Sequence, residues 1–129
     1  VGTIETHIDL EKDLTIHTVS GEISTDDILR KIRSYYEGEV TRLLLWDFSG
    51  ADLRSVTASD VRGFADLTNS LSAARAGGKT ARVVSTTVAY GLSRMFELST
   101  DDSDDRIADR TFRDRKKALE WLGFPAGDI

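Results

Sequence analysis

Four consecutive apolar residues, Leu43-Leu44-Leu45-Trp46, followed at once by Asp47-Phe48-Ser49-Gly50, constrain this chain more than any other stretch. The run is too short for a helix and has no polar alternation, so it reads as a strand buried on both faces. Alternation sends Leu43 and Leu45 to one side, Leu44 and Trp46 to the other. A carboxylate, a hydroxyl and a flexible residue then mark the exit from a sheet. Thr57-Ala58-Ser59-Asp60 follows as a Thr-x-x-Asp that caps a helix whose stripe begins at Val61, Phe64 and Leu71. In open α/β sheets the loops leaving the carboxyl ends of strands line the functional crevice.

The remaining elements arrange themselves around that strand. Ile4, Thr6, Ile8 and Leu10 alternate with Glu5, His7 and Asp9, and Leu14, Ile16 and Thr18 repeat the pattern. With Glu11-Lys12-Asp13 as the turn, Leu10 faces Leu14, Ile8 faces Ile16 and His7 faces His17. Gly21 ends this hairpin. Ser24-Thr25-Asp26-Asp27 caps a helix carrying Ile28, Leu29, Ile32, Tyr35 and Tyr36, and Gly38 stops it. The helix from about Ala58 to about Ala74 is ended by Gly77-Gly78. Thr80–Ser85 is the next strand, and Thr86-Thr87 caps a helix with Val88, Leu92, Met95, Phe96 and Ser99 on or near one face. Ser99–Asp105 reads as a loop, Arg106–Phe112 as a strand, and Asp114 as the cap of a last helix with Ala118, Trp121 and Leu122 before Gly123. The tail after Pro125 is expected to be loose. This order predicts one α/β domain spanning 1–129. Its sheet has about five strands, mostly parallel, with an antiparallel N-terminal edge strand and about four helices.

At 129 residues and 40% hydrophobic, the chain can bury a core without disulfides. Cysteine is absent, which excludes thiol catalysis and cysteine-ligated metal sites. A net charge of −5 gives no basic footprint for nucleic acid or anionic membranes. No apolar stretch approaches a membrane span and no signal-peptide pattern opens the chain, so a soluble, cytoplasmic setting is expected. Val1 stands where an initiator Met is expected, which suggests a processed or recut start.

Several segments together resemble a known family. Val19-Ser20-Gly21-Glu22, Leu44-Leu45-Trp46-Asp47-Phe48-Ser49-Gly50, and Thr111-Phe112-Arg113-Asp114 with Ala118-Leu119-Glu120-Trp121-Leu122-Gly123 resemble the SpoIIAA-like proteins. These belong to the STAS superfamily of anti-sigma-factor antagonists and are akin in fold to Sec14/CRAL-TRIO lipid-binding domains. The resemblance implies strands in roughly sequential order. It also implies a phosphorylation switch, an Asp-Ser-Ser/Thr-Gly motif at the start of the second helix. Matching Asp47-Phe48-Ser49-Gly50 to the family's Asp-Leu-Ser-Gly puts that motif on Ser55-Val56-Thr57-Ala58, with valine as the phosphoacceptor. Ser55 or Thr57 substitutes only with a register shift, and phosphate at a helix N-terminus is electrostatically favoured. Capping is the commoner role for Thr57.

Other chemistry is weakly signalled. His7 and His17, with Glu5 or Asp9, offer metal ligands only if they are cross-strand neighbours, and surface histidines are the commoner outcome. Asp101, Asp102, Asp104 and Asp105 lack the spacing of a calcium loop. Ser49 beside Asp47 has no histidine placed as its base, and Gly77-Gly78-Lys79-Thr80 leads into a strand where a phosphate loop leads into a helix. No catalytic residue, metal or cofactor is expected.

Two roles are left. The first is a non-catalytic regulatory module meeting a protein partner through Asp47, Ser49, Gly50, Asp52, Ser55, Thr57, Ser59 and Asp60. The second is a carrier of a small apolar or lipid-like ligand lined by Tyr90, Leu92, Met95 and Phe96. Size argues against the carrier, since a chain this short needs those side chains for its only core. An enclosed apolar tunnel favours the carrier, a filled core the module. Crossover helices gathered on one face also leave the other sheet face bare, which predicts a homodimer through His17, Val19, Leu44, Trp46 and Val84.

Overall fold

The computed structural model describes residues 2–100 and 107–125. Its elements are β1 (Thr3–Asp9), β2 (Leu14–Glu22), α1 (Thr25–Glu37), β3 (Leu43–Asp52), α2 (Ala58–Leu71), β4 (Lys79–Val83), α3 (Thr87–Ser99), β5 (Ala108–Phe112) and α4 (Arg115–Leu122), with a 3-10 turn at Ser72–Arg75. The sheet order is β1-β2-β3-β4-β5, antiparallel in the first pair and parallel thereafter. β3 is central, as the apolar run requires. The expected acidic loop at Asp101, Asp102, Asp104 and Asp105, and the tail from 126 onward, lie outside the described residues.

Sequential parallel strands with right-handed crossovers put every crossover helix on one face. Accordingly α1, α2 and α3 cover Val19, Leu44, Trp46 and Val84. The opposite face, with Leu14, Ile16, Leu43, Leu45, Ala81 and Val83, is covered by α4 through Ala118 and Leu122. This corrects the dimer expectation. His17, Val19, Leu44, Trp46 and Val84 are all buried beneath the crossover helices, so none offers an open face to a second copy.

The hairpin register is one residue away from the expected one. Ile8 pairs with Thr15, His7 with Ile16 and Thr6 with His17. The cause is a four-residue connection, Leu10–Asp13, in which Asp13 adopts a left-handed φ of 52°. Aspartate tolerates that region better than most residues. Its carbonyl accepts the Leu43 N–H at 3.0 Å and its Oδ1 accepts the Arg42 N–H at 3.0 Å, which ties the hairpin to the start of β3. The one-residue slip sends His7 and His17 to opposite faces. The cross-strand histidine pair that a metal site would have needed is therefore not formed.

A strand boundary and a helix face also differ. β3 does not leave the sheet at Asp47–Gly50 but continues to Asp52, because a register shift between Thr18 and Ser20 lets Ser20–Glu22 pair with Gly50–Asp52. On α3, Val88 is 70% exposed and off the buried stripe. The caps follow the sequence: Ser24, Thr57, Thr86 and Asp114 each accept a backbone N–H at a helix start.

Asp13→Ala loses both the left-handed tolerance and the Arg42 acceptor. It is expected to destabilise by about 1–2 kcal/mol, and Asp13→Asn by less, in urea unfolding followed by circular dichroism.

Candidate functional site

The side chains that alternation sends to the helix-covered face do not fill the space beneath the helices. Leu44, Trp46 and Phe48 from β3 form the floor, Ile32 from α1, Phe64 from α2 and Leu92 from α3 the roof, and together they enclose a cavity of about 110 Å³. Trp46 and Phe48, two residues apart on one strand, stack with rings parallel to within 3° and centroids 5.4 Å apart. Of the four side chains expected to line a pocket, Leu92 and Phe96 do. Met95 packs against the edge of the core, and Tyr90 lies under the Arg113 guanidinium at 4.6 Å. The space beneath the helices is thus neither an enclosed tunnel nor completely filled. Thr68, Asn69, Ser72 and Thr100 also line the cavity, and Asn69 is itself exposed, so this polar edge reaches the surface.

One end of the cavity is cationic. Arg75, 3% exposed, follows the end of α2, and its guanidinium donates from Nε to the Thr41 carbonyl at 2.9 Å and from Nη1 to Thr80 Oγ1 at 2.8 Å. Nη2 donates to the carbonyls of Arg42 at 2.9 Å and Lys79 at 2.8 Å. Gly77, at φ 80°, and Gly78 make this approach feasible: a Cβ on Gly78 would stand 2.4 Å from the Arg42 oxygen. Beside Arg75, burial pushes the Tyr36 hydroxyl above the usual phenol value, and the guanidinium partly opposes that rise. Arg82 is differently placed. Its Nη1 and Nη2 both bind the Asp109 carboxylate, its Nε donates to Ser93 Oγ at 2.7 Å, and it stacks over Phe96 at 4.4 Å. No residue pattern marked Arg75, Arg82 or Tyr36 as site residues. The only hint was Gly77-Gly78, which required a special backbone there.

The loop after β3 separates into an inner and an outer set. Leu53 and Val56 line the cavity, and Val56 is only 9% exposed. Gly50, Arg54, Ser55, Thr57 and Ser59 are exposed around them. Thr57 and Asp60 form a reciprocal capping box, Asp60 N–H to Thr57 Oγ1 at 3.1 Å and Thr57 N–H to Asp60 Oδ2 at 2.9 Å. That second bond holds the Asp60 carboxyl below the usual range. Ser55 Oγ donates to Glu22 at 3.3 Å, and Asp52 accepts the Arg54 N–H at 3.0 Å and Nε at 2.7 Å. Asp47 faces α4: its Oδ1 accepts Ser49 N–H at 2.9 Å and Oγ at 2.6 Å, and its Oδ2 accepts Arg115 Nη1 at 2.7 Å. Burial raises this carboxyl, but the bonds from Ser49 and Arg115 prevail and hold it below its ordinary value. Ser49 therefore gives its hydroxyl proton to a structural carboxylate, an arrangement that orients a loop rather than activating a nucleophile.

His17 is 1% exposed, with Nδ1 bonded to Thr6 Oγ1 at 2.9 Å and its ring against Trp46 and Tyr35. Nε2 has no hydrogen-bond partner among the described residues. Among those residues no group of three or more histidine or acidic side chains is placed to hold a metal ion, and no helix is long and apolar enough to cross a membrane.

This geometry is that of the SpoIIAA-like fold. Three solved structures share it. An uncharacterised DUF3478-family protein with a SpoIIAA-like fold from Shewanella loihica matches with a TM-score of 0.58 at 16% identity, over 94% of this chain and 93% of the other. The anti-sigma factor antagonist SpoIIAA in its unphosphorylated form matches with a TM-score of 0.58 at 12% identity, over 93% of this chain and 97% of the other. An anti-sigma factor antagonist from Mycobacterium paratuberculosis matches with a TM-score of 0.56 at 13% identity, over 95% and 94%. No family model and no curated protein matches the sequence.

Burial, and then the positive charges of Lys31 and Arg75, lower the His17 pKa from 6.5 to about 3. The unfolded chain therefore takes up a proton that the folded one refuses. Stability is expected to fall by about 1.4 kcal/mol per pH unit as pH drops below about 6.5 toward about 3. Urea unfolding at stepped pH measures this slope. It should flatten in His17→Phe between pH of about 6 and about 4.5, above the range where carboxylates add their own contribution.

Proposed function

We propose that this chain is a non-catalytic STAS-type regulatory module in which a small apolar ligand, bound beneath the helices, replaces phosphorylation as the signal read at the surface of residues 49–60. One observation carries the reading. Val56, at the position the family resemblance gives to the phosphoacceptor, turns into the cavity, while Ser55 and Thr57 on either side face outward. A side chain that cannot take phosphate here touches whatever occupies the cavity. Filling the cavity restores the contacts that the void forgoes, and that gain is available to bias the loop. The outer residues Ser49, Gly50, Asp52, Ser55, Thr57, Ser59 and Asp60 then form the face that a protein partner meets.

Thr57 already has a structural task as N-cap, and its hydroxyl accepts the Asp60 N–H. The protein isolated from its native cell is therefore expected to show the unmodified intact mass. A stoichiometric phosphate on Ser55 or Thr57 would restore the phosphorylation switch and remove the need for a ligand.

The cavity itself is tested with hexanol as probe. In 15N-correlated NMR spectra, hexanol should shift amides of Leu44–Phe48 and also of Leu53–Thr57. Shifts confined to the strand would leave a ligand site without a signal, and no shifts at all would refute the reading. Val61→Phe, which puts a ring into the void, should raise stability by about 1 kcal/mol and abolish the hexanol shifts.

A further inference from the structure

The charges in the cavity wall do not balance. Among the described residues three ionic side chains line it, Arg75, Arg82 and Asp109, and they sum to one positive charge inside a chain whose net charge is −5. Both oxygens of Asp109 are engaged by Arg82. Glu97, the next carboxylate along α3, is bonded to Arg94 and to Thr111. Arg75 makes no ion pair among the described residues; its four hydrogen bonds all end on carbonyls and one hydroxyl. Neutral acceptors take four of its five N–H groups and leave its charge uncompensated, which is unfavourable in so buried a place. Tyr36, which lines the same wall, adds a hydroxyl donor. The rest of the wall is aromatic and aliphatic.

We propose that the ligand of this cavity is a small apolar monocarboxylic acid, bound with its carboxylate against Arg75 and Tyr36 and its hydrocarbon body between the Trp46–Phe48 stack and Phe64. This rests on the ligand-binding reading above and adds the chemical class. A monoanion supplies the charge that the described wall lacks, and a carboxylate oxygen suits the one guanidinium N–H, on Nη1, that those four bonds leave. Volume limits the body: about 110 Å³ is the scale of one small ring or a short acyl chain. A long-chain lipid does not fit within it.

Hexanoate and hexanol, matched in chain length, separate the two parts of the claim by calorimetric titration at pH 7. Hexanoate should bind about tenfold or more tightly, the margin expected for a charge-assisted hydrogen bond. Tyr36→Phe should weaken hexanoate several-fold and leave hexanol unchanged. Arg75→Met should erase the difference. Because Arg75 also ties backbone segments together and its variant can fail to fold, a second measurement uses the wild type alone. The carboxyl carbon of 13C-labelled hexanoate, followed by NMR during acidification, should titrate at lower pH when bound than when free. Equal binding of acid and alcohol, or a bound carboxyl that titrates at higher pH, would overturn the acid assignment and leave the apolar cavity standing. If neither probe binds at millimolar concentration, the acid and the underlying ligand reading both fall.

Discussion

A single guanidinium fixes the geometry on which the helix side of this molecule depends. Arg75 reaches from the end of α2 to carbonyls on Thr41, Arg42 and Lys79, so one side chain sets where β3 and β4 both begin. Tyr35 reinforces it, donating to the Thr41 carbonyl at 2.7 Å and accepting the Thr41 N–H at 3.2 Å, with its ring 5.6 Å from the guanidinium carbon. The chain can pass this close only because residue 78 has no side chain. Remove the clamp, and the stagger of the two strands, the exit of α2 and the closed end of the cavity lose their common anchor.

Much of the fold was legible because it depends on period and punctuation. The run Leu43–Trp46 announced a central strand, its alternation divided correctly between the two faces, and Ser24, Thr57, Thr86 and Asp114 marked helix starts by cap chemistry that acts within a few residues. What depends on longer reach was not legible. The hairpin slipped by one because Asp13 in a left-handed conformation is not distinguishable, by residue type, from Asp13 in a shorter turn. That slip alone separated the histidines. β3 ran past Gly50 because its end is decided by pairing with Ser20–Glu22, far away in sequence.

The site was legible in its outline and hidden in its interior. Of the residues named after the central strand, Ser49, Gly50, Ser55, Thr57 and Ser59 are exposed while Asp47 is buried against α4, and of the four named on α3 two line the cavity. Arg75 and Arg82 were not, since charged side chains in helix ends and strands ordinarily face water. Whether side chains close up a core or leave a void is a matter of volumes across five strands and three helices. No local pattern encodes it.

The back of the sheet has a different vulnerability. Only α4 covers Leu14, Ile16, Leu43, Leu45, Ala81 and Val83, and α4 follows every strand in the chain. During synthesis the strands therefore emerge first, and this aliphatic surface has no cover until Ala118 and Leu122 leave the ribosome. The Arg115–Asp47 ion pair, formed at the first turn of α4, catches the helix over the central strand as soon as it appears. Until α4 docks, the nascent chain carries this aliphatic face uncovered, a surface of the kind that holding chaperones shield.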